Sequence, residues 1–151
     1  MLQPVEDGGL IVGRSSDLTA QPGRWALPGG SAQPPTGGER FDLAALRRHA
    51  AQELLEEIGV VSDPEDMTAW GVTRGEYGNI GVHFLAPAVP AALALKQHEV
   101  LADEERARGE GPELDRLAVV HSVQGVSGLG HCADFLPLVV SRYGRGEPAT
   151  A

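Results

Sequence analysis

The sequence predicts an α/β domain, and three observations carry that prediction. Short β-prone runs alternate with two long stretches of helical pattern. Turns rich in glycine and proline separate them; the chain holds 20 glycines and 11 prolines. With 151 residues, 42% of them hydrophobic, it is long enough to bury one proper core. The expected organisation is one domain over residues 1–143 followed by a disordered tail over 144–151, without internal repeat or linker.

In order, Glu6-Asp7-Gly8-Gly9 carries turn chemistry, and Leu10-Ile11-Val12 is a β-prone run ended by Arg14. Residues 15–23 are a polar loop. Trp25-Ala26-Leu27 reads as a strand that stops at Pro28-Gly29-Gly30, and 31–38 is an extended loop without periodicity. Asp42 is placed to cap a helix over Leu43–Ile58, with Ala51, Leu54, Leu55 and Ile58 on an apolar arc and His49, Glu53, Glu56 and Glu57 on a polar one. Gly59 stands where a left-handed C-terminal cap belongs.

Val60-Val61 is expected to begin a short strand before the Ser62-Asp63-Pro64 turn. Strands are predicted over Met67–Thr73 and Ile80–Val89, with Pro87 and Pro90 marking the exit from the sheet. Ala91–Arg108 has helical composition, Leu117–Val120 is a further strand, 122–131 a glycine-rich loop, and Asp134–Tyr143 a last helix despite Pro137.

The formal charge of −9 argues against nucleic acid and against an anionic membrane as partners. A small phosphorylated ligand remains compatible, because a bound cation inverts the local field. One cysteine, Cys132, excludes an internal disulfide and a cysteine-built zinc cluster and is expected as a small core hydrophobe. His121 and His131 lack a zinc spacing pattern, and Gly125–Gly130 is not followed by the Lys-Ser/Thr of a phosphate-binding loop. There is neither a secretory signal pattern nor an apolar run of membrane-spanning length, so the expected location is the cytoplasm.

Glu53, Glu56 and Glu57 stand at i, i+3 and i+4 and so share one helix face, where like charges cost roughly 0.2–0.5 kcal/mol per pair. A hard divalent cation offsets such repulsion. The stretch Glu53-Leu54-Leu55-Glu56-Glu57-Ile58-Gly59-Val60, preceded by Trp25-Ala26-Leu27-Pro28-Gly29-Gly30, resembles the Nudix hydrolase superfamily, whose box reads G-x5-E-x7-R-E-U-x-E-E-x-G-U with U aliphatic. The resemblance is clearest over residues 10–60. Two features depart from the pattern. Gln52 stands where the family has arginine, and Gly30 lies 23 positions before Glu53, eight more than the family spacing, so an insertion is placed across 31–42. Gly38 satisfies the spacing but puts Ala44 in place of the first box glutamate; Glu39 serves as that glutamate only with a remodelled loop.

The resemblance implies a Nudix-like α/β/α sandwich with a mixed sheet, and a metal-dependent hydrolase cleaving the pyrophosphate bond of a nucleoside diphosphate linked to another moiety. Mg²⁺ is the implied metal, with Mn²⁺ as the second choice, since both take oxygen ligands. Carried over, the ligands are Glu53, Glu56 and Glu57 with the Gly30 carbonyl. Gly29 and Gly30 meet the substrate, and Arg14 is the candidate for its phosphate. Among Glu76, Glu99, Glu110 and Glu113 as general base, Glu113 has the best position. His49 is a candidate donor to Glu53, against an uninvolved surface role. Trp25 is expected in the core. The substrate is expected to be a nucleotide derivative, and a homodimer is common in the family. The alternatives are a Nudix-like nucleotide-binding or regulatory domain without hydrolysis, motivated by Gln52 and the long loop, and a purely structural module.

Overall fold

The computed structural model describes residues 1–33, 37–38, 40–75 and 77–147. Glu39, Glu76 and the end of the predicted tail, 148–151, lie outside the described residues. Helices and antiparallel sheets alternate along the chain, which places it in the α/β class.

The first strand, β1 (Leu10–Ser15), pairs antiparallel on one side with β2 (Trp25–Ala26) and on the other with β5 (Leu114–Val120). A second sheet is the hairpin of β3 (Thr68–Arg74) and β4 (Ile80–Leu85). The two sheets are joined by residues 2–5. Leu2 and Val5 bridge Leu85 and Val89 in parallel, while Pro4 bridges Leu10 antiparallel. The hydrogen bonds Leu2 N–H to Phe84 O, 2.8 Å, and Ile11 N–H to Gln3 O, 2.9 Å, show the strip bonded on both edges. Among the described residues the parallel pairing consists of these bridges and that of Trp25 with Cys132; the named strands pair with one another only antiparallel.

Side chains alternate across this assembly as a pleated sheet requires. Ile11, Val5 and Phe84 enter one core, with Leu54 and Ile58 of helix α1 (Leu43–Ile58) and Ala94 of α2 (Ala91–Ala107). Leu10, Val12 and Leu2 enter the other, with Val126 of the short α3 (Val123–Ser127) and Leu136, Val139 and Val140 of α4 (Leu136–Gly144). Helices thus cover both faces. Burying an aliphatic side chain of this size contributes roughly 1.5–3 kcal/mol, so the two cores make the sheet the structural centre.

Helix α1 begins and ends as the sequence predicts. The Asp42 carboxylate accepts from Ala45 N–H at 3.0 Å, and Gly59 closes the helix at φ 71°. Its buried arc is rotated from the expected one: Leu55 is exposed and Glu57 is buried. The reason is the Pro28–Gly30 turn, which packs on that side and supplies Glu57 with an N–H donor. The structure corrects three further expectations. Val60-Val61 forms no strand; Val60 packs into the core and Val61 is exposed. The predicted strand to Val89 ends at Leu85, because Ala86 and Val89 bond to Leu2 and Pro4 of the joining strip instead. The glycine-rich 122–131 segment contains α3, capped by Ser122. Pro137 is accommodated in the first turn of α4, where its missing N–H has no intrahelical partner to lose.

Candidate active site

Glycine supplies the close approach on which the site is built. Gly29 has φ 145°, a conformation side chains disfavour, and its N–H donates to Glu57 Oε2 at 2.5 Å. Gly30 lies against Glu53: a Cβ added there would sit 2.6 Å from Glu53 Oε1 and 2.7 Å from its carboxyl carbon. The turn after β2 and the last two turns of α1 are therefore in direct contact across 23 to 28 residues of sequence. This contact supports Gly29-Gly30, rather than Gly38, as the glycines that belong with the helix.

Electrostatics follow from the packing. Glu57 is 9% exposed, and burial pushes its carboxyl up to about 7; the Gly29 hydrogen bond opposes the rise and the Glu53 charge adds to it. Glu53 is also raised, by burial first, then by Glu56 and Glu113, while His49 pulls it down. Glu113, just before β5, adds its charge to the rise of both carboxylates. Its position is fixed by its carbonyl, which accepts from Ser16 N–H at 2.8 Å next to the irregularity that ends β1. His49 Nε2 lies 3.3 Å from Glu53 Oε1, and it is otherwise buried without a hydrogen-bond partner. The Met1 amino group donates to Pro28 O, and its burial lowers it to about 6 against the pull of Glu57 and Glu53.

Other candidates lie elsewhere. Glu56 is exposed and accepts from Gln52 Nε2 at 2.5 Å, one helical turn away. Arg14 is engaged by Asp115 in a two-pronged pair at 2.8 and 2.6 Å, which holds the Asp115 carboxyl below its ordinary range. Glu99 is exposed on α2, and Glu110 pairs with Arg108 at 3.0 Å. Trp25 is in the core, and Cys132 is half-buried against it. Among the described residues no three His, Cys, Asp or Glu side chains stand ready-made as a metal cluster, and no helix is long and apolar enough to cross a membrane.

No protein-family model matches the chain, and no curated protein matches it. Beside the glycine turn opens a cleft of roughly 770 Å³. It is walled by Ala26–Gly30 on one side and Ile80–Phe84 on the other, with Met1 also in the lining. Leu46, His49 and Ala50 of α1 and Phe135 complete the wall, so the helix borders the cleft one turn before its carboxylates. That His83 and Phe135 line the cleft was not legible in the sequence. A single histidine inside a β-prone run carries no spacing signal.

Proposed function

We propose that this chain is a Nudix-type, metal-dependent hydrolase that cleaves the pyrophosphate bond of a nucleoside diphosphate linked to another moiety. The observation that carries the reading is the seat of Gly29-Gly30 on Glu53 and Glu57. Two half-buried or buried carboxylates, both raised by burial, Glu57 also by the Glu53 charge and Glu53 by that of Glu56, with Glu113 adding to both, form a site that a hard cation stabilises. The donor set fits Mg²⁺ or Mn²⁺ in its chemistry. Glu53, Glu57 and the Gly30 carbonyl would hold the ion, with Glu56 joining once it leaves Gln52.

When bound, such an ion neutralises phosphate charge and lowers the pKa of water. The protein's own residues do the rest. Gly30, without a side chain, lets the Glu53 carboxylate lie directly against the turn. His49 orients the Glu53 carboxylate. Glu113, exposed just before β5, accepts the proton of the attacking water on a carboxylate oxygen. The oxygen–phosphorus bond forms as the bridging P–O bond breaks, and the two products leave as phosphate esters. The net negative charge of the chain and the pairing of Arg14 with Asp115 support phosphate binding through the cation rather than through Arg14.

The test is a panel of nucleotide and nucleotide-sugar diphosphates with Mg²⁺ and Mn²⁺, read as phosphate ester release. Turnover that disappears in both Glu53→Gln and Glu57→Gln, with folded protein, is the expected result. Turnover unchanged in both variants would sink the assignment. One observation favours a second reading: the Gln52–Glu56 bond turns one carboxylate aside. A nucleotide-binding domain without hydrolysis would bind panel members and release nothing with either metal.

A further inference from the structure

β1 and β5 run in step from Leu10 against Val120 to Arg14 against Arg116, and then the register slips. Ser15 stands opposite Leu114, and Asp115 is left without a partner residue on β1. Asp115 is thus the extra residue of a β-bulge, which bends its strand and re-aims the side chains beyond it. The packing shows the effect. Side chains three apart on an even strand point to opposite faces, yet Leu114 and Leu117 both pack into the core that holds Leu54 of α1. Glu113, the next residue, is exposed between buried Pro112 and buried Leu114, and the bulge sets the direction in which it leaves the sheet.

Each residue from 113 to 115 is fastened by a different element. The Glu113 carbonyl accepts from Ser16 N–H at 2.8 Å, the Leu114 carbonyl pairs with His98 Nε2 at 2.8 Å, and the Asp115 carboxylate accepts from Arg14 Nε and Nη2 at 2.8 and 2.6 Å. Two glycines make room for the segment. A Cβ on Gly13 would fall 3.0 Å from Leu114 Cδ2, and one on Gly111 would run into the Leu18 side chain. Neither glycine has a positive φ, so space and not backbone conformation accounts for them. Arg14 alone of these anchors grips the bulged side chain, with a planar fork that matches both carboxylate oxygens. Arg14 and Asp115 are 33% and 28% exposed in their side chains, and a pair so open to water adds little stability. Its use is geometric.

We infer that Arg14 is a positioning residue, which through the Asp115 bulge fixes the direction from which the Glu113 carboxylate meets the attacking water. The inference rests on the hydrolase reading, in which Glu113 is the base, and it gives Arg14 a task other than contact with phosphate. The test is a double-variant cycle on a diphosphate that turns over with Mg²⁺. Glu113→Gln should lower kcat by ~10²-fold or more, the usual loss on removing a general base. Arg14→Gln should lower kcat on the order of tenfold, with KM, Mg²⁺ dependence and melting temperature little changed. Placed in the Glu113→Gln protein, the same substitution should do nothing further, because no base is left to aim. Asp115→Asn should match Arg14→Gln, and Arg14→Lys, which keeps the charge and loses the fork, should restore little.

The fastening itself is readable without substrate. Amide hydrogen exchange of metal-free Arg14→Gln should be faster at Ser16, whose N–H holds the Glu113 carbonyl, and unchanged in α4. Unchanged exchange at Ser16 overturns the inference whatever the activity. A raised KM with kcat intact would make Arg14 a phosphate contact, and an equal loss of kcat with and without the Glu113 carboxylate would make it a merely structural residue. Full activity in Glu113→Gln would mean that another group is the base. Each of these three results overturns the inference and leaves the hydrolase standing. Failure of the wild type to turn over any diphosphate overturns the hydrolase, and the role of Arg14 falls with it.

Discussion

Gly30→Ala isolates the contact on which the site depends. Gly30 does not have a positive φ, so alanine is compatible with its backbone, and the obstacle is a single side chain. The new methyl would press hardest on Glu53 Oε2 and lie 2.6 Å from Oε1, whereas ordinary contact begins near 3.4 Å, so the carboxylate must retreat by about 1 Å. Glu53 is a flexible side chain only 15% exposed, and relieving such a clash costs ~1–3 kcal/mol of stability. Catalysis is the more sensitive readout, since a displacement of ~1 Å in a reacting geometry costs on the order of 10²-fold. The assay is kcat/KM for metal-dependent ester release, paired with a thermal melt and a Mg²⁺ titration. The expected result is a loss of about 10²-fold in kcat/KM with a weakened response to Mg²⁺ and the protein still folded. Full activity in folded Gly30→Ala would refute the reasoning, because the Glu53 carboxylate would then not need its place against the turn.

Two other outcomes follow from buried groups. Glu57 is raised from 4.5 to about 7 in the folded protein, which therefore holds its proton more tightly than the unfolded chain. Its contribution to stability is fullest below pH 4.5 and is lost as pH rises to 7, by on the order of 3 kcal/mol. The melting temperature of metal-free wild type relative to Glu57→Gln should therefore fall between pH 4.5 and 7, and Mg²⁺ should restore more of it at about pH 8 than at about pH 5; parallel pH profiles for the two proteins would contradict this. His98, 7% exposed, pairs through Nε2 with Leu114 O at 2.8 Å and so ties α2 to the start of β5 beside Glu113. His98→Ala leaves that carbonyl unpaired at a cost of ~1–3 kcal/mol, which differential scanning calorimetry should show as a lower melting temperature. An unchanged melt would mean that water replaces the imidazole.

The local signals in the sequence were strong where the physics is local. Asp42, the periodic run to Ile58 and Gly59 act within one helix, and each does what its residue type predicts. The pairing of Gly29-Gly30 with the helix carboxylates was legible through the motif resemblance alone, since no local rule spans that separation. The burial of Glu57 in place of Leu55 was not legible, because the helix is seated by the glycine turn rather than by its own apolar moment. The cleft was hidden for the same reason: its walls come from residues 26–30, 80–84 and 135, which meet only through the sheet. His83 and Thr73 face each other because of the β3–β4 register, in which Thr73 opposes Gly81.

The strip of residues 2–5 also sets a sequence of events for the folding chain. β1 is synthesised early but finds β5 only after residue 114, and the strip finds its second edge only once Leu85 and Val89 exist. Pairings this distant slow folding, because loop closure must come before their reward. Helix α1 is local and capped, so it can form while β1 still shows unpaired backbone to the ribosome's surroundings. The aromatic side of the cleft waits longest, until Phe135 has emerged and α4 has closed over the sheet. A nascent chain therefore carries its acidic helix well before it has a pocket to serve.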